Sequence, residues 1–134
     1  MLLLAGCGIM PDLDALHARA EQGDVKAQNC LGLRYYHGTW MHQDKVEAAK
    51  WFRKAAEQGH VKAQFNLGVC HYKGDGVGVD LVEAYKWFWL AERTGDKPAG
   101  AECLALAKIM TAAQVAEAQA RAKLYRPILQ PART

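Results

Sequence analysis

The sequence has no excess of charge of one sign, no long apolar run and no close pair of cysteines. Its 17 Lys and Arg residues nearly balance 14 Asp and Glu residues, and the net charge is only +3. A nucleic-acid-binding domain needs basic residues clustered on one face, and here the two signs alternate. No apolar stretch approaches the ~18 residues of a membrane-spanning helix. We therefore expect neither nucleic acid nor a membrane-spanning segment.

The motifs of common catalytic and metal sites are missing as well. The sequence contains no G-x-S-x-G, S-x-x-K or H-E-x-x-H motif. None of the four cysteines stands in C-x-x-C or at a zinc-finger distance from a histidine. The glycine-rich stretch that begins at Gly74 follows a predicted helix and lacks the lysine or serine of a phosphate-binding loop. These absences predict a protein that is not an enzyme and holds no metal and no cofactor.

What the sequence does contain is a repeat with a period of 36 residues. Residues 20–38 align with residues 56–74, and 12 of the 19 positions are identical. Residues 44–59 align with residues 80–95, and nine of the 16 positions are identical. A period of this length with helical patterning inside it is the signature of a solenoid. The length of 134 residues and the 51% hydrophobic content suit one globular domain with a real core.

Helix signals divide each repeat into a first helix, which we call helix A, and a second, which we call helix B. Asp12, Asp44 and Asp80 are suited to cap helix starts, and glycines follow the predicted helix ends. Thr111 and Gln114 form a capping-box pattern before the last helix. The predicted helices cover about residues 13–22, 25–37, 45–58, 61–73, 81–94, 97–110 and 112–126.

Small and apolar residues recur at equivalent positions in the two copies and predict the packing of the helix pairs. Gly32 and Gly68 lie in the middle of helix A, where glycine costs about 1 kcal/mol against alanine. Their recurrence predicts a close approach of helix B, with Trp51 and Trp87 as the side chains that fill the gap. The residues assigned to the repeat framework are Ala27, Leu31, Gly32, Gly38, Ala48, Trp51, Ala55, Gly59, Ala63, Leu67, Gly68, Gly74, Ala84, Trp87, Ala91 and Gly95. Cys30, Cys70 and Cys103 are expected to pack in the core as small hydrophobes.

The motifs Ala-Glu-Gln-Gly-x-x-Lys-Ala-Gln-x-x-Leu-Gly and Asp-x-x-Glu-Ala-x-Lys-Trp-Phe resemble Sel1-like repeats, which are related to tetratricopeptide repeats. One departure is at Trp40 and Met41, which replace the Gly-Val of the family's loop. The resemblance implies an all-α superhelix of helix pairs with a C-terminal capping helix. It also implies a concave face lined by helix A and a role as a non-catalytic adaptor.

The same resemblance implies which residues bind a partner protein or peptide. By analogy with the tetratricopeptide layout, and with Trp40 added as an aromatic residue in a loop, they are Lys26, Asn29, Leu33, Tyr36, His37, Trp40, Lys62, Phe65, Val69, Tyr72 and Lys73. Lysines beside aromatic rings would suit an acidic, partly apolar segment. Packing roles for the tyrosines, tucking of Trp40 against helix B and a solvated face for the lysines remain open alternatives.

The predicted organisation is an N-terminal tail (residues 1–11), a repeat array (12–110), a capping helix (111–127) and a tail (128–134). The strong copies cover about residues 25–59 and 61–95. The sequence Leu4-Ala5-Gly6-Cys7 resembles a bacterial lipobox, yet no basic residue precedes it and the apolar run is short. It is either the remnant of a lipoprotein signal whose start lies upstream or a short apolar tail. With a lipid on Cys7 the protein would be in the cell envelope or periplasm, and otherwise in the cytoplasm.

Other readings of the function follow from the family resemblance. Similar bacterial proteins include immunity proteins, which inhibit a secreted toxin. Some cysteine-rich relatives have been described as β-lactam-binding or hydrolysing, but they carry paired cysteines in each repeat, which this chain lacks. A fragment of a longer array is a further alternative.

Overall fold

A computed structural model of the chain describes residues 12–128. Over these residues the chain forms seven α-helices and no strand. The helices are α1 (Leu13–Glu21), α2 (Val25–His37), α3 (Lys45–Glu57), α4 (Val61–Lys73), α5 (Leu81–Arg93), α6 (Lys97–Ala107) and α7 (Ala112–Leu124). Helices α2, α4 and α6 are the A helices, and α3, α5 and α7 are the B helices.

Side-chain caps fix where these helices begin. The carboxylates of Asp12, Asp44 and Asp80 each accept a hydrogen bond from a backbone N–H of the next turn, at 3.0–3.1 Å. Thr111 and Gln114 form the predicted capping box at the start of α7. These bonds satisfy N–H groups that have no partner inside the helix.

The helices stack in chain order. Each A helix packs on the B helix that follows it in the pairs α2–α3 and α4–α5, and α3 and α5 also pack on the next A helix. Helix α7 packs on α5. A continuous core runs between the layers, with Leu67, Trp87, Phe88 and Leu106 among its most buried side chains. The result is the predicted all-α solenoid.

Helix B approaches helix A closely at Gly32 and Gly68, as predicted. The prediction of which side chains fill the space beside these glycines was wrong. A Cβ on Gly32 would lie 2.6 Å from two ring atoms of Phe52, and a Cβ on Gly68 would lie 2.8 Å from Phe88. These separations are far inside van der Waals contact. The glycines therefore make room for phenylalanine rings rather than for Trp51 and Trp87.

The two tryptophans sit one residue earlier on the B helices, and one residue turns a side chain by about 100° around the helix. Trp51 packs with α1 and α2, in a cluster that includes Leu16 and Leu31. Trp87 meets the ring of Tyr125 edge-on, with 5.8 Å between ring centroids. Both tryptophans therefore join neighbouring layers of the stack instead of filling the gap inside one helix pair.

The third helix pair departs from the first two. Leu104 stands where Gly32 and Gly68 stand in the earlier A helices, and it is 70% exposed. Helix α7 begins at Ala112, five residues before the position expected from α3 and α5, and it lies along α5. Without a glycine gap, α6 cannot receive a bulky side chain from the following helix. Helix α7 thus covers the last B helix, as a terminal cap does.

Several predicted boundaries shift by a few residues. The first, third and fifth helices each end one residue earlier than predicted, at Glu21, Glu57 and Arg93. The sixth ends at Ala107 rather than 110, and the last at Leu124 rather than 126. The residue after each of these ends still donates its backbone N–H to a carbonyl of the preceding helix. After the first, third, fifth and sixth helices the chain turns, whereas after the last helix it is extended at Tyr125. The division into tail, array, cap and tail stays a prediction, and Cys7 with its lipobox lies outside the described residues.

Cys30, Cys70 and Cys103 lie in the core, as expected. Cys70 and Cys103 are free thiols, whereas Cys30 is disulfide-bonded and is therefore more than the small hydrophobe that was predicted. Burial raises the pKa of the Cys70 thiol to about 12 and that of the Cys103 thiol to about 12. Both side chains are therefore neutral thiols at physiological pH. No helix between residues 12 and 128 has the length and apolarity needed to cross a membrane.

Candidate protein-binding face

Two consecutive A helices bring most of the predicted partner-binding residues together. On each helix these residues follow one another at intervals of three, four or one, which places them on a single side of the helix. The two sides are neighbours, because the Asn66 amide on α4 donates to the Asn29 carbonyl oxygen on α2 at 2.9 Å. We call the solvent-accessible part of this surface the A-helix face, formed by the half-buried Phe65 and the exposed Lys26, His37, Lys62, Tyr72 and Lys73.

Four of the predicted binding residues lie beneath this surface. Asn29, Leu33, Tyr36 and Val69 are each at most 9% exposed. A side chain at this depth contributes to a surface mainly by holding its neighbours in place. Whether any of the four takes part in binding remains a prediction.

Tyr36 has a structural partner that the sequence did not reveal. Its hydroxyl donates to the carboxylate of Asp75, in the loop after α4, and Lys45 at the start of α3 contacts the same carboxylate at 3.2 Å. Partial burial alone would raise the pKa of Asp75, but the hydrogen bonds from Tyr36 and Lys45 hold that pKa below its usual value. The Asp75 carboxylate thus connects the loop after α4 to Tyr36 of α2 and Lys45 of α3.

The A-helix face is positively charged at the amino-terminal ends of its two helices. Lys26 and Lys62 are both exposed, and both positive charges interact electrostatically with the His60 side chain. Burial lowers the pKa of His60, and the positive charges of Lys62 and Lys26 lower it further. Asp24, whose negative charge acts on His60 in the opposite direction, is already paired with Arg19 at 2.8 Å. The lysines are therefore available to an acidic partner.

The aromatic groups of the face lie along α4, with Phe65 one turn after Lys62 and Tyr72 in the last turn. Tyr72 is 43% exposed, and Lys73 beside it is exposed as well. Phe65 is half-buried and tilts against Phe88 with 5.3 Å between ring centroids. The face therefore combines cations with aromatic surface, which is the composition expected of a site for acidic and apolar groups.

Trp40 stands apart from both helices, in the loop after α2. It has a φ of 58° and is 66% exposed, and the Arg34 guanidinium carbon lies 5.1 Å from its ring centroid. Its counterpart Gly76 also has a positive φ, and a Cβ there would lie 2.0 Å from the Lys45 carbonyl oxygen. The loop after α4 thus packs on α3, whereas Trp40 projects from its loop as an exposed aromatic ring. It rests on Arg34 of α2 rather than on helix B.

Sequence reasoning missed two other groups at this surface. His60 caps α4, since its Nδ1 accepts a hydrogen bond from the Ala63 N–H at 3.2 Å. Asn66 holds Asn29, although the two are 37 residues apart and so miss the repeat period by one. A capping signal could have been inferred for His60, because Asp24 and Asp96 hold the same position in the other repeats. Nothing in the period points to the asparagine pair.

The chemistry of the described residues suits binding. No group of three or more His, Cys, Asp or Glu side chains between residues 12 and 128 is arranged to hold a metal ion. The two thiols in the core are neutral, and His71 is buried with its Nε2 3.2 Å from the Arg53 guanidinium. Burial and the charge of Arg53 lower the pKa of His71. These groups serve packing and hydrogen bonding inside the stack.

The Sel1 repeat model matches residues 25–60 and 61–93, which together make up half of the chain. The chain belongs to the Sel1 repeat family. These repeats are generally protein–protein interaction modules and non-catalytic scaffolds. The first matched segment contains α2 and α3, and the second contains α4 and α5. These are the two helix pairs that pack through Gly32 and Gly68.

Solved structures of Sel1 repeat proteins share the fold. A protective antigen of uropathogenic Escherichia coli with an SLR fold superimposes with a TM-score of 0.80 over 84% of the chain, at 35% identity. A Sel1 repeat protein from Oxalobacter formigenes gives a TM-score of 0.67 over 68% of the chain, at 38% identity. The chain spans 24% and 26% of those two chains, respectively.

A curated Sel1 relative is similar over a shorter stretch. The secretory immunoglobulin A-binding protein EsiB of Escherichia coli O6:H1 is 46% identical over 44 residues, which make up 33% of this chain. The chain spans 9% of the length of that relative. The similarity therefore concerns the repeat unit and not the whole of the larger protein.

Proposed function

We propose that this Sel1 repeat chain is a non-catalytic adaptor whose A-helix face binds an acidic, partly apolar segment of a partner protein. The observation that carries the proposal is that Lys26, Lys62, Phe65 and Tyr72 share one side of the neighbouring helices α2 and α4, with both lysines and Tyr72 exposed and Phe65 half-buried. An acidic residue of the segment would pair with the lysines. An apolar side chain would lie against the rings, where aromatic surface usually supplies much of the binding energy.

The Sel1 relatives support a binding role. EsiB is named for binding secretory immunoglobulin A, so at least one protein with this repeat is named for a protein partner. The buried, neutral state of Cys70 and Cys103 supports the absence of a thiol nucleophile among residues 12–128, because the thiolate is the reactive form.

A peptide-selection experiment tests the proposal whichever protein the partner is. Random 12-residue peptides are displayed on phage and selected against the purified protein, and the enriched peptides are synthesised and titrated by calorimetry. We expect enriched peptides to carry a net negative charge and at least one aromatic or large apolar residue. We further expect the double substitution Lys26→Ala and Lys62→Ala to weaken their binding about threefold to tenfold.

A matched variant separates the local surface from the overall charge. Lys50→Ala with Lys123→Ala removes the same two charges from exposed positions on α3 and α7. It should leave the affinity within about twofold of the wild type. Equal weakening by the two double variants would mean that net charge alone attracts the peptides, and the assignment of the A-helix face would be wrong.

A further inference from the structure

The chain after α7 folds back over the turn between α3 and α4. The Tyr125 hydroxyl donates to the Ala56 carbonyl at 3.0 Å and accepts a hydrogen bond from the Gln64 amide at 3.3 Å. Three residues later, the Ile128 N–H donates to the Glu57 carbonyl at 2.7 Å. We call the position occupied by this tyrosine the tyrosine seat. It is formed where one B helix ends and the next A helix begins.

The repeat builds the same arrangement 36 residues earlier. Ala20, Glu21 and Gln28 correspond to Ala56, Glu57 and Gln64 of the tyrosine seat. The Gln28 amide donates to the Ala20 carbonyl at 3.0 Å, as the Gln64 amide does to Ala56 at 3.3 Å. This earlier position is an open cavity of about 260 Å³, and we call it the open seat. It is also lined by Lys54, Gln58 and Ile128.

The size and chemistry of the open seat favour one aromatic side chain. A cavity of about 150 Å³ is enough for a benzene ring, and small-molecule sites commonly measure about 300–1,000 Å³. The Ala20 carbonyl can accept a hydrogen bond from a phenol. The Glu21 carbonyl corresponds to the Glu57 carbonyl, which accepts the hydrogen bond from the Ile128 N–H. The open seat therefore repeats both polar contacts that hold Tyr125 and the chain after it.

Two side chains distinguish the two seats. Lys54 lines the open seat, whereas its counterpart beside Tyr125 is the apolar Leu90. In the open seat the Gln58 amide donates to the Gln28 side-chain oxygen at 2.8 Å. At the corresponding position of the tyrosine seat stands Thr94, which bonds to the Ala91 carbonyl of its own helix at 2.9 Å. Gln58 thus narrows the open seat without closing it. A threonine at this position would make the open seat more like the occupied one.

We propose that the open seat binds a tyrosine side chain from an extended segment of a partner protein. The tyrosine hydroxyl donates to the Ala20 carbonyl and accepts from the Gln28 amide, and a following backbone N–H donates to the Glu21 carbonyl. The sequence Tyr125-Arg126-Pro127-Ile128 is the template on this chain for such a segment. None of the residues involved belongs to the A-helix face, so this second site does not depend on the function proposed above.

The test uses the tail's own sequence as the probe. The amidated, acetylated peptide Tyr-Arg-Pro-Ile is titrated into the full-length, ¹⁵N-labelled protein, and backbone amide shifts are followed by NMR. We expect saturable shifts at the amides of Glu21, Gly23 and Gln28. Replacing tyrosine by phenylalanine in the peptide should weaken binding about fivefold to tenfold, since both hydrogen bonds of the hydroxyl are lost.

Two protein variants sharpen the result. Gln58→Thr should tighten binding, because it removes the side chain that narrows the open seat. Lys62→Ala should leave binding unchanged, and this distinguishes the open seat from the A-helix face. The proposal is overturned if neither the wild type nor Gln58→Thr shows shifts at these amides, or if the phenylalanine peptide binds equally well. Nuclear Overhauser contacts from residues 129–134 to Ala20 or Gln28 would also overturn it, since the chain itself would then fill the seat.

Discussion

Replacing Gly68 with leucine should fill the space that α4 leaves for the Phe88 ring. A Cβ alone at position 68 would lie 2.8, 2.9 and 3.1 Å from three atoms of that ring. Phe88 is only 1% exposed and is enclosed by the core, so the ring cannot swing into solvent. The leucine would therefore force α4 and α5 apart or push the ring off its preferred rotamer.

The expected magnitude follows from two opposing effects. Overpacking a core costs about 1–3 kcal/mol, and a whole leucine side chain belongs at the upper end of that range. Leucine returns somewhat less than about 1 kcal/mol because it is a better helix former than glycine. The net loss of unfolding free energy should be about 2 kcal/mol. For a domain of this size that is a fall in melting temperature of about 6–10 °C.

The measurement is urea unfolding followed by circular dichroism, with thermal melts in parallel. Gly100→Ala in α6 is the control for helix propensity, because its new Cβ meets only the movable Glu92 side chain, at 3.2 Å from Cγ. This control should be as stable as the wild type or more stable by up to about 1 kcal/mol. In a double-mutant cycle with Phe88→Ala, the two changes should couple by more than about 1 kcal/mol. A Gly68→Leu protein that unfolds like the wild type, or additive effects in the cycle, would refute the packing assignment.

Three further predictions concern titrating and hydrogen-bonded groups in the stack. The pKa of His60 and that of His71 are lowered in the folded chain, so the unfolded chain binds more protons, and stability should fall as pH drops from about 7.5 through the ordinary histidine pKa of 6.5. In urea titrations at pH 7.5 and 5.5, His60→Asp should retain more stability at pH 5.5 than the wild type, and equal losses would contradict the capping role. Tyr36→Phe should cost about 1–2 kcal/mol of unfolding free energy, because Asp75 loses a hydrogen-bond donor, and an unchanged urea midpoint would contradict this. Cys70 and Cys103 should resist alkylation by iodoacetamide at pH 8 until urea is added, as judged by mass spectrometry of each site, since both remain buried, neutral thiols, and rapid labelling of the native protein would contradict their burial.

The sequence predicted the helices well because their signals are local. Asp44, Asp80 and Thr111 cap the helices that their positions indicated, since a cap depends only on the next turn of the chain. Which side chain of one helix meets a glycine of another depends on the rotation of two packed helices. The repeat period of the sequence does not give that rotation. The sequence therefore predicted Trp51 beside Gly32, where the structure has Phe52. Tyr125 escaped notice for a similar reason, because its partners are 61–69 residues away.

The candidate binding face was predicted in part. A helical stripe indicates which residues point in one direction, and Lys26, Lys62 and Tyr72 are exposed on that stripe. The same pattern cannot tell how deeply a neighbouring helix covers each position. Asn29 is buried because Asn66 of the next A helix lies over it, and Tyr36 is buried because it reaches Asp75. These contacts depend on the distance between stacked repeats, which sequence periodicity does not give.

Docking of a partner protein on the A-helix face can be measured by site-specific photocrosslinking. A photoreactive phenylalanine analogue is introduced at Tyr72, and in a matched variant at the exposed Lys50 on α3, in cells of the source organism. Docking on this face predicts a discrete protein adduct from position 72 that is lost in the Lys26→Ala and Lys62→Ala background and is not formed from position 50. An equal adduct from position 50, or an adduct at 72 that survives loss of both lysines, would contradict it.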